Sequence, residues 1–302
     1  MKAPSATTTI TNPFKDEEQT PTQDEQLVAG ALAGNRQSLE QLVVRHQRWI
    51  YNIAFRMVMT PQDAEDVTQE VLVKVLTKLS SYDPSKAAFR TWLYRIVTNH
   101  VINMKSRGYE SAMTDLEGYY AGIQRVPEEN PDPTPEMEAL ADDLRVGCVM
   151  GTLLCLERAQ RVAFILAIGF DVTDSVGAEV LGTSRDAFRK TLSRARSRLY
   201  QYMNGNCGVF NPEATCRCRK KVPGFLKMGA ISVDRLSFIQ PSSPSVRAIV
   251  GGTISRFDKE IYADFVRLHR AQPFYSVPDV TPWLEELVER REFKEIFHLS
   301  RA

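Results

Sequence analysis

Long apolar runs are missing from this chain. None of its 302 residues fall in a stretch approaching the roughly 20 apolar positions needed to cross a bilayer, so no membrane insertion is expected. The N-terminus, MKAPSATTTITNPFKDEEQT, has no apolar core of the secretory kind, which points to the cytoplasm. Cysteine is scarce: five residues, an odd number without framework spacing, do not make a disulfide scaffold. The 16 Gly and 16 Pro exclude collagen-like and low-complexity architectures. There is no phosphate-cradling Gly loop, no HExxH and no G-x-S-x-G, and the four His are scattered. Nothing therefore marks an enzyme, and no cofactor is expected. Charge nearly cancels, with 38 Lys and Arg against 37 Asp and Glu, but it is unevenly placed.

What is present is helical periodicity. Residues 1–23 are rich in Thr, Pro and acids and read as a disordered tail. From residue 24 to 108 apolar side chains recur at three- and four-residue steps. Thr60-Pro61-Gln62-Asp63 reads as a helix start, with Thr as N-cap, Pro at the first position and Asp closing a capping box. That helix places Asp63, Asp66, Gln69 and Glu70 on a face away from its apolar stripe. A further helix covers about 89–107. Residues 109–135, with Gly118, Gly122 and a Pro-rich acidic run, read as a flexible linker that cannot continue a helix. A second helical block covers 136–204. Within it a short helix at 175–181, the turn Gly182-Thr183-Ser184 and a longer helix at 185–203 make a helix-turn-helix pattern. Residues 205–302 form a Cys-containing extension with strand-like pieces at 230–233 and 248–254, followed by two amphipathic helices at 257–271 and 281–299. The expected fold is thus mainly α, with two small helical domains, a linker and an extension.

Three clusters carry chemistry. The second helix of the helix-turn-helix holds Arg185, Arg189, Lys190, Arg194, Arg196 and Arg198 against the single acid Asp186, with Ser184 placed to cap it. A solvated helix face ordinarily mixes both signs; one this cationic suits the major groove. Tyr82, Phe89, Trp92 and Tyr94 interleave with Arg90, Arg95 and Asn99, a mixture of flat rings and cations that suits unstacked bases, although a plain helical core with Arg at its edge has the same composition. Cys207, Cys216 and Cys218 lie in a short cation-rich loop, where nearby Arg and Lys are expected to lower thiol pKa and favour metal binding or redox sensitivity. Structural zinc wants four ligands, and no His lies at the usual spacing. Cys148 and Cys155 sit on an apolar helix and read as packing residues.

These residues resemble a family. Asp63-Ala-Glu-Asp-Val-Thr-Gln-Glu-Val with Phe89-Arg-Thr-Trp-Leu-Tyr-Arg-Ile-Val-Thr-Asn99 is similar to region 2 of bacterial RNA polymerase sigma factors of the extracytoplasmic-function class. Val180-Leu-Gly-Thr-Ser with Phe188-Arg-Lys-Thr-Leu-Ser-Arg-Ala-Arg-Ser-Arg-Leu199 resembles region 4. The resemblance implies a region 2 helical bundle at 24–108 and a region 4 helix-turn-helix at 136–204. It implies docking of Asp63, Asp66, Gln69 and Glu70 on the β′ clamp helices of core polymerase, with the β flap a further contact. It also implies −10 contacts from Tyr82, Phe89, Arg90, Trp92, Arg95 and Asn99, and −35 contacts from Ser184, Arg185, Asp186, Arg189, Lys190, Arg194 and Arg196. An anti-sigma factor, or self-inhibition by the extension, would regulate such a protein. Two departures stand out. Val176-Gly177-Ala178 replaces the family's usual Glu-Ile-Ala, which should loosen that helix by up to about 1 kcal/mol. Asp186-Ala187-Phe188 replaces small residues and Val. The alternatives are a stand-alone helix-turn-helix regulator and a thiol or metal sensor with DNA binding as its output.

Overall fold

The computed structural model describes residues 21–106, 108–113, 115–234, 236–239, 246, 258–271, 275, 277 and 279–297. Most of the expected N-terminal tail and the strand-like piece at 248–254 lie outside the described residues. The chain is built from helices: α1 (Pro21–Leu32), α2 (Arg36–Val58), α3 (Pro61–Lys78), α4 (Phe89–Asn103), α5 (Leu116–Arg125), α6 (Pro135–Gly151), α7 (Arg158–Phe164), α8 (Asp174–Leu181), α9 (Arg185–Asn206), α10 (Cys218–Lys227), α11 (Asp258–Ala271), α12 (Thr281–Glu289) and α13 (Arg291–Ile296). Among the described residues there is no strand. The strand-like piece at 230–233 is a run of turn and bends after α10, beginning beside Gly229 in its left-handed conformation.

Local chemistry sets the helix boundaries. Asn35 caps α2 through Ser38 N–H at 3.0 Å. Ser184 caps α9 as expected, its hydroxyl accepting from Ala187 N–H at 3.2 Å. Thr60 differs: its hydroxyl donates to the Asp63 carboxylate and does not cap an amide. Helix α1 starts at Pro21, inside the stretch read as disordered.

The linker is the larger correction. Gly118 and Gly122 do not break α5, because the Asp115 carboxylate caps Gly118 N–H at 2.6 Å and Tyr119 and Tyr120 pack their rings toward Tyr202 of α9. Ahead of α5, the Glu110 carboxylate is buried between two guanidiniums. Arg158 meets it at 2.7 Å and Arg161 at 2.8 Å. Arg161 also donates to the carbonyls of Met57 (2.7 Å), Leu153 and Leu154 (2.8 Å each) and Leu156 (3.1 Å), so one side chain ties the end of α2 to α7. Helix α4 packs on α8, where Thr98 donates to Val180 O at 3.2 Å. One apolar core runs from α1 through α9 into the extension.

The extension touches both halves. Asp143 of α6 gathers the N–H groups of Ser237, Phe238 and Ile239 at 3.1, 2.6 and 3.0 Å. Tyr275 exchanges two hydrogen bonds with the Asn52 amide of α2. Phe265 of α11 packs on Phe164 and Phe210. The expected helix at 281–299 is split into α12 and α13 at Arg290, whose backbone is extended.

Candidate nucleic-acid and polymerase interface

On α3, Asp66 and Glu70 are exposed and Gln69 half-buried, one turn apart on a single face. Glu70 pairs with His100 of α4 at 3.2 Å, and Lys74 meets the other ring nitrogen of His100 at 2.6 Å. Asp63 stands apart from this face. It is turned to Thr60 and lies against Gly108, where a side chain would collide with its carboxylate.

The ring cluster divides into support and surface. Phe89 is 2% exposed and belongs to the core, which is a correction to its reading as a base-contacting ring. It braces half-buried Tyr82 and Trp92, with centroids 5.3 and 5.6 Å away. Tyr82 donates to Glu25 at 3.5 Å, and burial together with the charge of Glu25 pushes its phenol up to about 12. Arg90 pairs at 3.1 Å with Asp24, which also holds Arg45 at 2.8 Å and His46 at 3.2 Å. Burial would raise the Asp24 carboxyl, but the hydrogen bond from His46 and the surrounding cations outweigh it and bring it to about 2. His46 is pushed down by burial and stays neutral. Arg95 donates to the Glu179 carbonyl at 2.7 and 3.3 Å, so its guanidinium lies on the helix-turn-helix. Asn99 is exposed one position beyond Thr98.

The second surface is open. Arg185, Asp186, Arg189, Lys190 and Arg194 are all exposed, while Phe188, Leu192, Ala195 and Leu199 bury the opposite side. Arg189 pairs with Asp174 at 2.6 Å. Arg196 is half-buried at the edge of this face. The two sequence departures prove to be one feature: a side chain at Gly177 would run into the Phe188 ring. Gly177 does not merely loosen α8. It leaves the space that the larger Phe188 ring fills.

The thiols correct another expectation. Burial, not the nearby cations, dominates them: Cys207 is pushed up to about 11, Cys218 well above the ordinary range, and Cys216 upward. Sequence reasoning passed over Asp24, Glu110 and Thr98. The signal for Asp24 was an acid set among the apolar positions of α1; the others left none.

An exposed acidic face on α3, a ring-braced α4 and an exposed cationic face on α9 thus share one helical scaffold. The sigma-70 region 2 profile matches residues 42–109. Sigma factor SigE of Mycolicibacterium smegmatis is 32% identical over 55% of this chain, a match spanning 62% of that relative's length. Sigma factor NccH of Alcaligenes xylosoxydans xylosoxydans is 30% identical, over 59% of this chain and 94% of its own. CnrH of Cupriavidus metallidurans is 30% identical, over 58% and 92%. The chain belongs to the RNA polymerase sigma factors of the extracytoplasmic-function class. Among solved structures, CnrH in complex with the cytosolic domain of CnrY matches with a TM-score of 0.43 at 24% identity, covering 60% of this chain and 97% of that one. No helix among the described residues is long and apolar enough to cross a membrane.

Proposed function

We propose that this chain binds core RNA polymerase through the α3 face, centred on Asp66, Gln69 and Glu70, and directs it to promoters in the cytoplasm. Helix α9 holds the −35 element as duplex, with Arg185, Asp186, Arg189 and Lys190 near the groove and Arg194 and Arg196 nearer the backbone. The Tyr82–Asn99 segment captures opened −10 bases, with Trp92, Arg95 and Asn99 at the strand and Phe89 as the brace. The chain itself catalyses nothing. Melting follows from differential affinity, because bases captured out of the stack draw the duplex toward the bubble. Two modest contacts carried on one chain add through effective concentration.

The observation that carries this reading is the pairing of the α3/α4 face with an exposed basic helix-turn-helix; a stand-alone regulator needs only the latter. Arg95 donates to Glu179 and α4 lies on α8, so strand capture requires the two to part. Polymerase binding supplies that separation, and the extension, bonded to both halves, opposes it. Run-off transcription with core enzyme is the test. Full-length chain is expected to confer start-site selection, removal of the extension to raise its yield, and Asp66→Lys with Glu70→Lys to abolish polymerase capture. Capture unchanged in that double variant overturns the docking face.

A further inference from the structure

Three cysteines supplied by the C-terminal loop lack a fourth partner in the sequence. The fold provides one. Cys148, in the last turns of α6, lines the same small cavity as Cys207, Cys216 and Cys218. That cavity has a volume of about 20 Å³, enough for one water-sized guest. Residues 70 positions away in sequence are thus brought to one point by the packing of α6, the end of α9 and the start of the extension.

The backbone around this point is arranged for sulfur ligands. Cys207 and Cys216 are paired by the single bridge of β type among the described residues, and Gly208 N–H donates to Cys216 O at 3.2 Å. A side chain at Gly208 would collide with that carbonyl and with the Arg217 guanidinium, so the close approach of the two cysteine segments requires glycine there. The N–H groups of Phe210 and Asn211 donate to the Cys207 carbonyl at 3.1 and 2.9 Å, folding the loop back onto Cys207. Cationic groups stand near: Arg145 lines the cavity, Arg217 flanks Cys216, and Lys221 lies close to Cys216.

We propose that Cys148, Cys207, Cys216 and Cys218 form a structural tetrathiolate site for a zinc-class divalent cation, stapling the extension to the helix-turn-helix half of the chain. Four thiolates with no open position are the ligand set of a structural zinc site. In this conformation no three His, Cys, Asp or Glu side chains among the described residues are grouped so as to hold a metal ion, so the site forms as the four thiols converge on the cavity they line. Binding releases four protons to solvent, 4 RSH + M²⁺ → [M(SR)₄]²⁻ + 4 H⁺, and the Arg217 guanidinium beside Cys216 stands next to the remaining double negative charge. The cation ties α6, the end of α9 and α10 together, and so fixes where the extension begins. Cys155, which does not line the cavity, stays a packing residue.

The test uses full-length chain and needs no polymerase. Zinc counted by elemental mass spectrometry is expected at one per chain, and unchanged in Cys155→Ser. After chelation, titration with Co²⁺ is expected to give a thiolate-to-cobalt charge-transfer band and the intense visible bands of tetrahedral cobalt, saturating at one equivalent. Both are lost in Cys148→Ser and in Cys216→Ser. If a variant fails to fold, the cobalt spectrum of the native chain decides alone, since weak octahedral bands overturn the site. Folded native chain without stoichiometric zinc, zinc retained in Cys148→Ser, or a disulfide among the four thiols found by peptide mass mapping also overturns it.

Discussion

The two helices proposed to face DNA, α4 and α9, carry similar cations in different states. On α9, Arg185, Lys190 and Arg194 stand exposed around a helix whose other side is buried. On α4, Arg90 is held by the buried Asp24 carboxylate and Arg95 by a carbonyl of the neighbouring helix. A guanidinium already hydrogen-bonded within the fold must exchange that partner before it reaches a phosphate, whereas an exposed one exchanges only water. On the proposed function, most of the α9 face is therefore open in this conformation, with Arg189 still to exchange Asp174, while strand capture by α4 is held back.

The joint between the halves is the place to break this comparison most severely. Glu110→Ala leaves buried Arg161 and half-buried Arg158 without their carboxylate and is expected to lower stability by about 3–5 kcal/mol, measured by denaturant unfolding. The α9 side is broken next: Gly177→Ala, which drives a methyl into the Phe188 ring, should cost about 1–3 kcal/mol by overpacking. Phe188→Val in the same chain should restore much of that loss, and a thermal melt of the double variant checks the coupling. The two faces are separated directly by Arg189→Ala and Asn99→Ala. The first should weaken −35 duplex binding by about 1–3 kcal/mol in a fluorescence titration. The second should spare duplex binding and impair open-complex formation followed by permanganate reactivity; equal loss of both would remove Asn99 from its role.

Acid probes the α4 side. The Asp24 carboxyl lies at about 2, below its usual 3.8, so its contribution is complete above the ordinary value and is lost as pH falls toward 2. That contribution is about 2 kcal/mol, and Asp24→Asn should flatten the acid limb of the stability profile. The smallest effect is expected at the contact itself. Thr98→Val removes the hydrogen bond to Val180 O and should shift the α4–α8 contact toward opening by about 1 kcal/mol, read as faster amide exchange in α8.

Much of this was legible in the sequence because it is local. Helix starts, the capping Ser184, the turn at Gly182 and the cationic stripe of α9 follow from spacing and side-chain chemistry within one or two turns. The division of the proposed site residues into surface and support was not legible. Phe89 and Trp92 are alike in composition and differ only in which side of α4 meets α2. The α5 helix was hidden because Gly118 and Gly122 argue against it locally, while Asp115 and the contact of Tyr119 and Tyr120 with Tyr202 argue for it from elsewhere.

The amino-acid order alone determined the helical class, the helix-turn-helix pattern and the cationic sign of α9, since each depends on neighbours within a few residues. Only the folded chain decided that Gly177 and Phe188 are one packing unit, that Arg161 joins the two halves through Glu110, and that Cys148 meets the distant loop thiols. Those relations join side chains up to 70 residues apart, and their energies come from excluded volume and buried charge, which exist only once the helices have been brought together.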